Sequence, residues 1–210
     1  MSDNVSYAQA DGDILYNVKR VEVEEIDTLT GDVKKGSKTF VIECDSEIGL
    51  EPEINEGEKK VLRDATKILA QAKEEDLLEG MGLKLSTVKF PAEVIPMIQG
   101  GTLRYDSSEP KKIVGYDAPT MAEGVKNKKY FRLKAYVENY EGDDVANYVV
   151  FTFWKCKGKP VKIDLKKDFF APEFEIRATE NTKIKKSVYS FDYVKTLPSD
   201  TGAAVSKGEE

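Results

Sequence analysis

The sequence predicts a mainly β protein: an antiparallel two-sheet sandwich or partly closed barrel, with one or two short helices on its flank. Three observations lead there. Apolar–polar alternation of period two recurs in short runs, each closed by Gly, Pro or Asp. No apolar run approaches the roughly 20 residues a membrane-spanning helix requires. Hydrophobic residues at 40% and charged residues at 33% suit a packed core under a wet surface. At 210 residues the chain can bury about 70% of its unfolded surface. The organisation expected is an N-terminal arm (1–12), one β domain (13–198) and a polar C-terminal tail (199–210).

Ile14 to Ile26 is the first strand. Ile14, Tyr16 and Val18 share a face, and Val21 and Val23 resume the alternation one residue out of step. A β-bulge near Lys19 and Arg20 would produce that slip. Thr28 to Ser37 is a turn punctuated by Gly31 and Gly36, and Lys38 to Cys44 returns as a second strand. Asp45 to Glu58, rich in acidic residues, Gly and Pro, reads as a loop. From Glu58 to Glu79 two readings compete. Val61, Leu62, Ala65, Ile68, Leu69 and Ala72 recur at helical spacing among good helix formers, and local propensity favours an amphipathic helix. By period two, Ile68, Ala70 and Ala72 instead form a strand that enters a turn at Gly80 and Gly82 and pairs with Leu83 to Val88.

Pro91 can open a helical turn, since its missing N–H would have no partner there. Pro96 follows closely, so the helix over Ala92 to Gln99 has one or two turns at most. Gly100 or Gly101 supplies the positive φ that closes it. Thr102 to Tyr105 and Lys111 to Tyr116 are short strands, and Asp117 to Asn127 is a loop. Tyr130 to Tyr140 and Val145 to Lys157 form a hairpin across the turn at Glu141 to Asp144. The second of these strands carries bulk on both faces, Val149, Phe151 and Phe153 against Tyr148, Val150 and Trp154, so it must be covered twice. Val161 to Leu165, Glu173 to Thr179 and Ser187 to Lys195 are the remaining strands, the last with Tyr189, Phe191 and Tyr193 on one face.

Composition narrows the chemistry. The chain has no histidine, which removes Ser-His-Asp and Cys-His catalysis and His-ligated zinc. Its two cysteines, Cys44 and Cys156, cannot build a four-thiolate site, and each sits in an apolar strand as a small buried hydrophobe. A disulfide between them is disfavoured in a reducing compartment. The acidic turns at Asp11–Asp13 and Glu141–Asp144 lack the ligand spacing of a calcium loop. A net charge of −6 argues against a dedicated duplex-DNA binder, and the Lys-rich runs at 126–129, 155–167 and 183–186 read as solvated strand ends. The first residues have neither the basic nor the apolar part of a secretory signal. No catalytic residue, metal site or cofactor is expected.

One ordered set of motifs goes further. Gly80-x-Gly82-Leu-x-Leu, then Val88-x-Phe90, then Pro91-x-Glu-Val-Ile-x-x-Ile-x-Gly100-Gly101 resembles the central segment of phage tail tube (major tail) proteins. The same order continues through Tyr130-Phe131-Arg132-Leu133-x-Ala135-Tyr136, Phe151-Thr152-Phe153-x-Lys155-Cys156, Phe169-Phe170-Ala171-Pro172-Glu173-Phe174 and Ser190-Phe191-Asp192-Tyr193. The similarity spans about Asp13 to Pro198, with Gly80, Gly82, Pro91, Gly100 and Gly101 as its structural marks.

The resemblance implies a structural virion protein, not an enzyme. Such subunits assemble in the bacterial host cytoplasm as hexameric rings, which stack into the tail conduit for DNA ejection. It implies two packed sheets, strands of adjacent subunits joined into an inner barrel, and an extended rather than helical course near Lys67 to Glu75. The partners implied are further copies of the chain and the tape measure, tail terminator and, in a contractile tail, sheath proteins. DNA would cross the lumen without specific binding, and no membrane is involved. By that analogy Asp45, Glu47, Glu51, Glu53, Tyr148 and Trp154 are candidate inter-subunit contacts, and the arm, the 45–58 loop and the tail link rings. The alternatives are the inner tube of a contractile tail or phage-like bacteriocin, and, from another class, a β-sandwich module binding carbohydrate or protein.

Overall fold

The computed structural model describes residues 12–199 apart from 65, 88–90, 127–128 and 163–171; of residues 43–46, 69 and 125–126 it describes the backbone alone. Twelve strands and two short helices are found there: β1 Ile14–Ile26, β2 Thr39–Ser46, β3 Ile48–Asn55, β4 Lys59–Arg63, β5 Ile68–Lys73, β6 Leu77–Ser86, α1 Ile95–Ile98, β7 Thr102–Tyr105, β8 Ile113–Asp117, α2 Met121–Lys126, β9 Tyr130–Glu141, β10 Asp144–Gly158, β11 Glu173–Thr179 and β12 Tyr189–Val194. The main sheet runs β2-β1-β9-β10-β11-β6-β3, with β12 also on β10. All its pairings are antiparallel.

β10 is the hinge of this sheet. Tyr148–Phe153 pair with β12, whereas Cys156–Gly158 pair with β11. The sheet therefore divides into a layer β2-β1-β9-β10-β12 and a layer β11-β6-β3. Their inner faces meet in one core: Val21, Val23, Phe131, Leu133 and Phe153 from the first, Leu83, Leu85, Phe174 and Ile176 from the second, and Ile95, Met97 and Ile98 from α1. Burying each such side chain contributes about 1.5–3 kcal/mol. β2 and β3 are consecutive stretches separated by Glu47, so the two ends of the sheet meet through the chain itself and no closed barrel forms.

Long period-two strands keep their expected places. The slip in β1 is spread over Asn17 to Lys19, with register shifts at Tyr16/Val18 and Val18/Arg20. Asn17 takes φ +60°, a left-handed conformation that Asn tolerates better than most residues. Gly100 and Gly101 both have positive φ, +87° and +85°.

Several expectations need correction. Residues 58–79 are not helical but extended, the alternative the period-two spacing at Ile68–Ala72 offered: β4 and β5 form an antiparallel ladder from Lys59↔Lys73 to Arg63↔Ile68, so the partner is β4 and not Leu83 to Val88. Every described side chain from 58 to 79 except Val61 is exposed, so a helical stripe there would stay unburied, and the flanking β3/β6 ladder carries the chain onward as a hairpin. The expected loop at 45–58 is mostly strand, the end of β2 and all of β3. Gly80 and Gly82 lie inside β6, not in a turn. A Cβ at Gly80 would come within 2.9 Å of Glu53 Oε2 and 3.0 Å of the Ala178 carbonyl, so this glycine lets flanking strands close in. The helix near Pro91 is only Ile95–Ile98, and Pro96, not Pro91, occupies its first turn. The loop 117–127 contains α2, whose start is a reciprocal cap: Thr120 N and Oγ1 donate to Glu123 Oε2 at 3.0 and 2.9 Å. Of the expected strand Val161–Leu165, only the bridge Lys162↔Glu173 is found before residues 163–171, which lie outside the described residues together with Val88.

Candidate functional site: open sheet edges and a charged sheet face

Alternation along β1 and β9 puts charge on the face of the first layer opposite the core. Arg20, Glu22 and Glu24 of β1 register against Tyr136, Lys134 and Arg132 of β9. Arg20 Nε donates to Glu22 Oε1 at 2.9 Å, the Tyr136 hydroxyl to Glu22 Oε2 at 3.0 Å, and Arg132 Nε to Glu24 Oε2 at 2.7 Å. Lys134 Nζ lies 3.8 and 3.4 Å from Glu22 and Glu24, and Lys19 is 3.9 Å from Glu138. Glu22, Glu24, Glu138 and Arg20 are nevertheless buried. Arg20 and Glu22 pair with each other, and Arg20 Nη1 also donates to the Pro198 carbonyl at 3.1 Å. Burial, then the Glu22 carboxylate, pushes the Tyr136 hydroxyl well above its ordinary pKa. The ladder is internally compensated, so its cations are occupied by neighbouring carboxylates.

The edges of this layer differ from its middle. Among the described residues β2 pairs only with β1, and β12 only with β10. β12 turns Tyr189, Phe191 and Tyr193 toward the same side as Phe153, Phe151 and Val149, with which they register. Phe191 and Tyr193 remain 53% and 55% exposed. Phe191 stacks edge-on to Tyr193 and tilts over Phe151. The Tyr193 hydroxyl donates to Asp13, and that bond raises its pKa. Beside Asp13, buried Asn139 donates to Asp13 Oδ1 and Asn147 Oδ1, while its own Oδ1 has no partner among the described residues. An unpaired strand with an uncovered aromatic face is a surface that native proteins ordinarily shield.

The candidate contacts fall in three places. Glu51 and Glu53 project from the outer face of β3, Glu51 accepting from Lys84 Nζ at 2.7 Å and Glu53 from Arg177 Nε at 2.6 Å. These bonds raise the pKa of Lys84 and Arg177. Glu47 is an exposed link between β2 and β3; the Asp45 side chain lies outside the described residues. Trp154 and Tyr148 are half-buried on the charged face. Trp154 is engaged within the chain, since its Nε1 donates to Ser190 Oγ at 3.1 Å and Lys186 and Arg132 stand 4.7 and 5.7 Å from its ring.

The structure does not bring the six together. The charge ladder was missed, although its signal is present in the alternation of VKRVEVEE and YFRLKAYVE. An open groove of about 420 Å³ lies between β2 and the α1–β7 segment, with Phe40, Met97, Leu103 and Tyr105 among its walls. Among the described residues no group of three or more Cys, Asp or Glu is placed to hold a metal ion. Cys156 is fully buried with a free thiol, whose pKa burial raises. No protein-family model matches the sequence, and no curated protein matches it.

Proposed function

We propose that this chain is a structural subunit that assembles with copies of itself into stacked hexameric rings, as the tube of a phage tail through which DNA leaves the virion. The observation that carries the reading is the layer β2-β1-β9-β10-β12, unpaired at both edges among the described residues and exposing aromatics along β12. Apposing β12 of one copy to β2 of the next would complete both ladders and cover Phe191 and Tyr193. The compensated charge face supports the same role. Turned toward a bore, it offers phosphates few unoccupied cations, so a duplex would slide rather than stick. The tape measure, terminator and any sheath protein are the further partners of this reading, and the virion tail is its place.

The groove beside α1 favours a second reading, a β-sandwich module that binds a small ligand or peptide. Negative-stain microscopy of concentrated protein separates the two. Six-fold rings or tubes are expected; uniform single subunits under all concentrations and salts would overturn the tube reading.

A further inference from the structure

The outer part of the β3–β6 hairpin stands clear of the body. Beyond Asn55↔Leu77 the two strands continue as β4 and β5, whose ladder ends at Arg63↔Ile68 beside the tip. From 58 to 79 every described side chain except Val61 is exposed. Cross-strand register puts Leu62 opposite Ala70 and Lys60 opposite Ala72, so Leu62, Ala70 and Ala72 share one apolar strip. Leu62 and Ile68 are each 63% exposed.

Charge along this hairpin is segregated. Residues 59–73 carry Lys59, Lys60, Arg63, Lys67 and Lys73 against one acid, Asp64. The flanking segments 51–58 and 74–79 hold eight acidic residues and no Lys or Arg. Ion pairs within the hairpin form where the two zones meet, Lys60–Glu58 at 3.2 Å and Lys73–Asp76 at 3.1 Å. No ion pair to Lys59, Arg63 or Lys67, or to Glu56, Glu74 or Glu75, occurs among the described residues.

We infer that the hairpin is a docking arm for a second copy of this chain, its basic, apolar tip seating on the acidic base of that copy's hairpin. Charge complementarity selects this occupant: a cationic tip and an anionic base on every copy fit head to tail and repel in any tip-to-tip or base-to-base arrangement. The reach is adequate, because the eight residue steps from Asn55 to Arg63 span up to roughly 26 Å. A copy displaced by that length along the hairpin axis brings its base level with the tip. Nucleic acid fits less well. The tip has no aromatic residue on which bases could stack, and the acidic base repels phosphate. The inference rests on the self-assembly proposed above and adds which charges join copy to copy.

Two triple variants of the full chain test it. Lys59→Glu with Arg63→Glu and Lys67→Glu makes the tip acidic; Glu56→Lys with Glu74→Lys and Glu75→Lys makes the base basic. All six positions are exposed, and unchanged melting temperatures verify the fold. Sedimentation velocity over a sodium chloride series reads assembly. Each variant alone should need at least about tenfold more protein to assemble than the unmodified chain, the equivalent of 1.4 kcal/mol. An equimolar mixture should assemble again, as should one chain carrying all six changes. Added salt should weaken the unmodified assembly. Assembly unaffected by either triple change, or a mixture that stays apart, overturns this inference and leaves the tube reading standing. Absence of self-association by the unmodified chain overturns both. Duplex DNA binding that the tip variant abolishes would overturn the choice of a second copy.

Discussion

Replacing Gly158 by Ala tests how tightly α1 is wedged against the sheet. A Cβ at this position lies 2.2 Å from Ile98 Cγ2, 2.5 Å from the Ile98 carbonyl oxygen and 2.9 Å from its carbonyl carbon. Non-bonded carbons reach their best separation at about 3.5–4.0 Å, so all three contacts are strongly repulsive. A new Ile98 rotamer clears only the first; the other two are backbone. α1 must therefore retreat from β10 by roughly 1 Å, loosening Ile95, Met97 and Ile98, all buried in the common core. Overpacking of this kind costs about 1–3 kcal/mol. The lower unfolded-state entropy of Ala offsets about 0.4–1 kcal/mol, leaving a net loss near 1–2 kcal/mol. At this chain length that lowers the melting temperature by about 2–8 °C. Thermal unfolding followed by circular dichroism reads it. Gly124→Ala is the control: its Cβ meets nothing within 4 Å, and α2 should be unchanged or firmer. A Gly158→Ala protein that melts at or above the unmodified chain refutes the packing argument.

Other perturbations address the charge ladder and the loops. Glu22→Ala removes the buried carboxylate that accepts from Arg20 Nε and the Tyr136 hydroxyl and should cost about 3–5 kcal/mol in urea unfolding; a loss below about 1 kcal/mol would mean the ladder behaves as a surface ion pair. Asn181→Ala removes the buried donor to the Gly31 carbonyl, 2.8 Å away, and should cost about 1–3 kcal/mol, with a null result in the same assay counting against this tie between loops. Glu175 is held down to about 2 by hydrogen bonds from Lys162 and then Lys159. Because its folded pKa is depressed, its contribution is present above pH 4.5 and is lost as the pH falls toward about 2. Glu175→Gln should flatten that part of the stability–pH curve; curves that stay parallel would discount the pairing.

Where strands bury one face over many residues, the sequence was readable. Phe131, Leu133 and Ala135, or Phe174, Ile176 and Ala178, announce both strand and inward face, because period two and burial select the same residues. At residues 58–79 propensity and period two pointed to different structures, and the strand reading at Ile68–Ala72 is the one found, as β5, although its partner is β4 and not β6. Every described side chain of β4 and β5 except Val61 is exposed, so the apolar spacing there reports little burial, and the partner that settles the structure is the other strand of the hairpin. Gly80 and Gly158 look like turn glycines in one dimension; only the approach of Glu53 and Ala178, or of Ile98, explains them. α2 was legible through Thr120 and Glu123, three residues apart, and was overlooked in a polar stretch. Of the candidate contacts, Glu51 and Glu53 do mark a projecting hairpin, but its charge segregation acquires meaning only once residues 51–58 and 74–79 stand side by side. The open edges of β2 and β12 could not be read at all, since an edge is defined by the strand that is missing beside it.

Amide hydrogen exchange, compared between dilute protein and concentrated assembled protein, tests the central claim most directly. If copies complete one another's sheets, amides on the outward edges of β2 and β12 exchange freely when dilute and become protected on assembly, while β9, paired on both sides within one copy, changes little. Assembly with those edge amides still exchanging freely, or no assembly at any concentration, contradicts it.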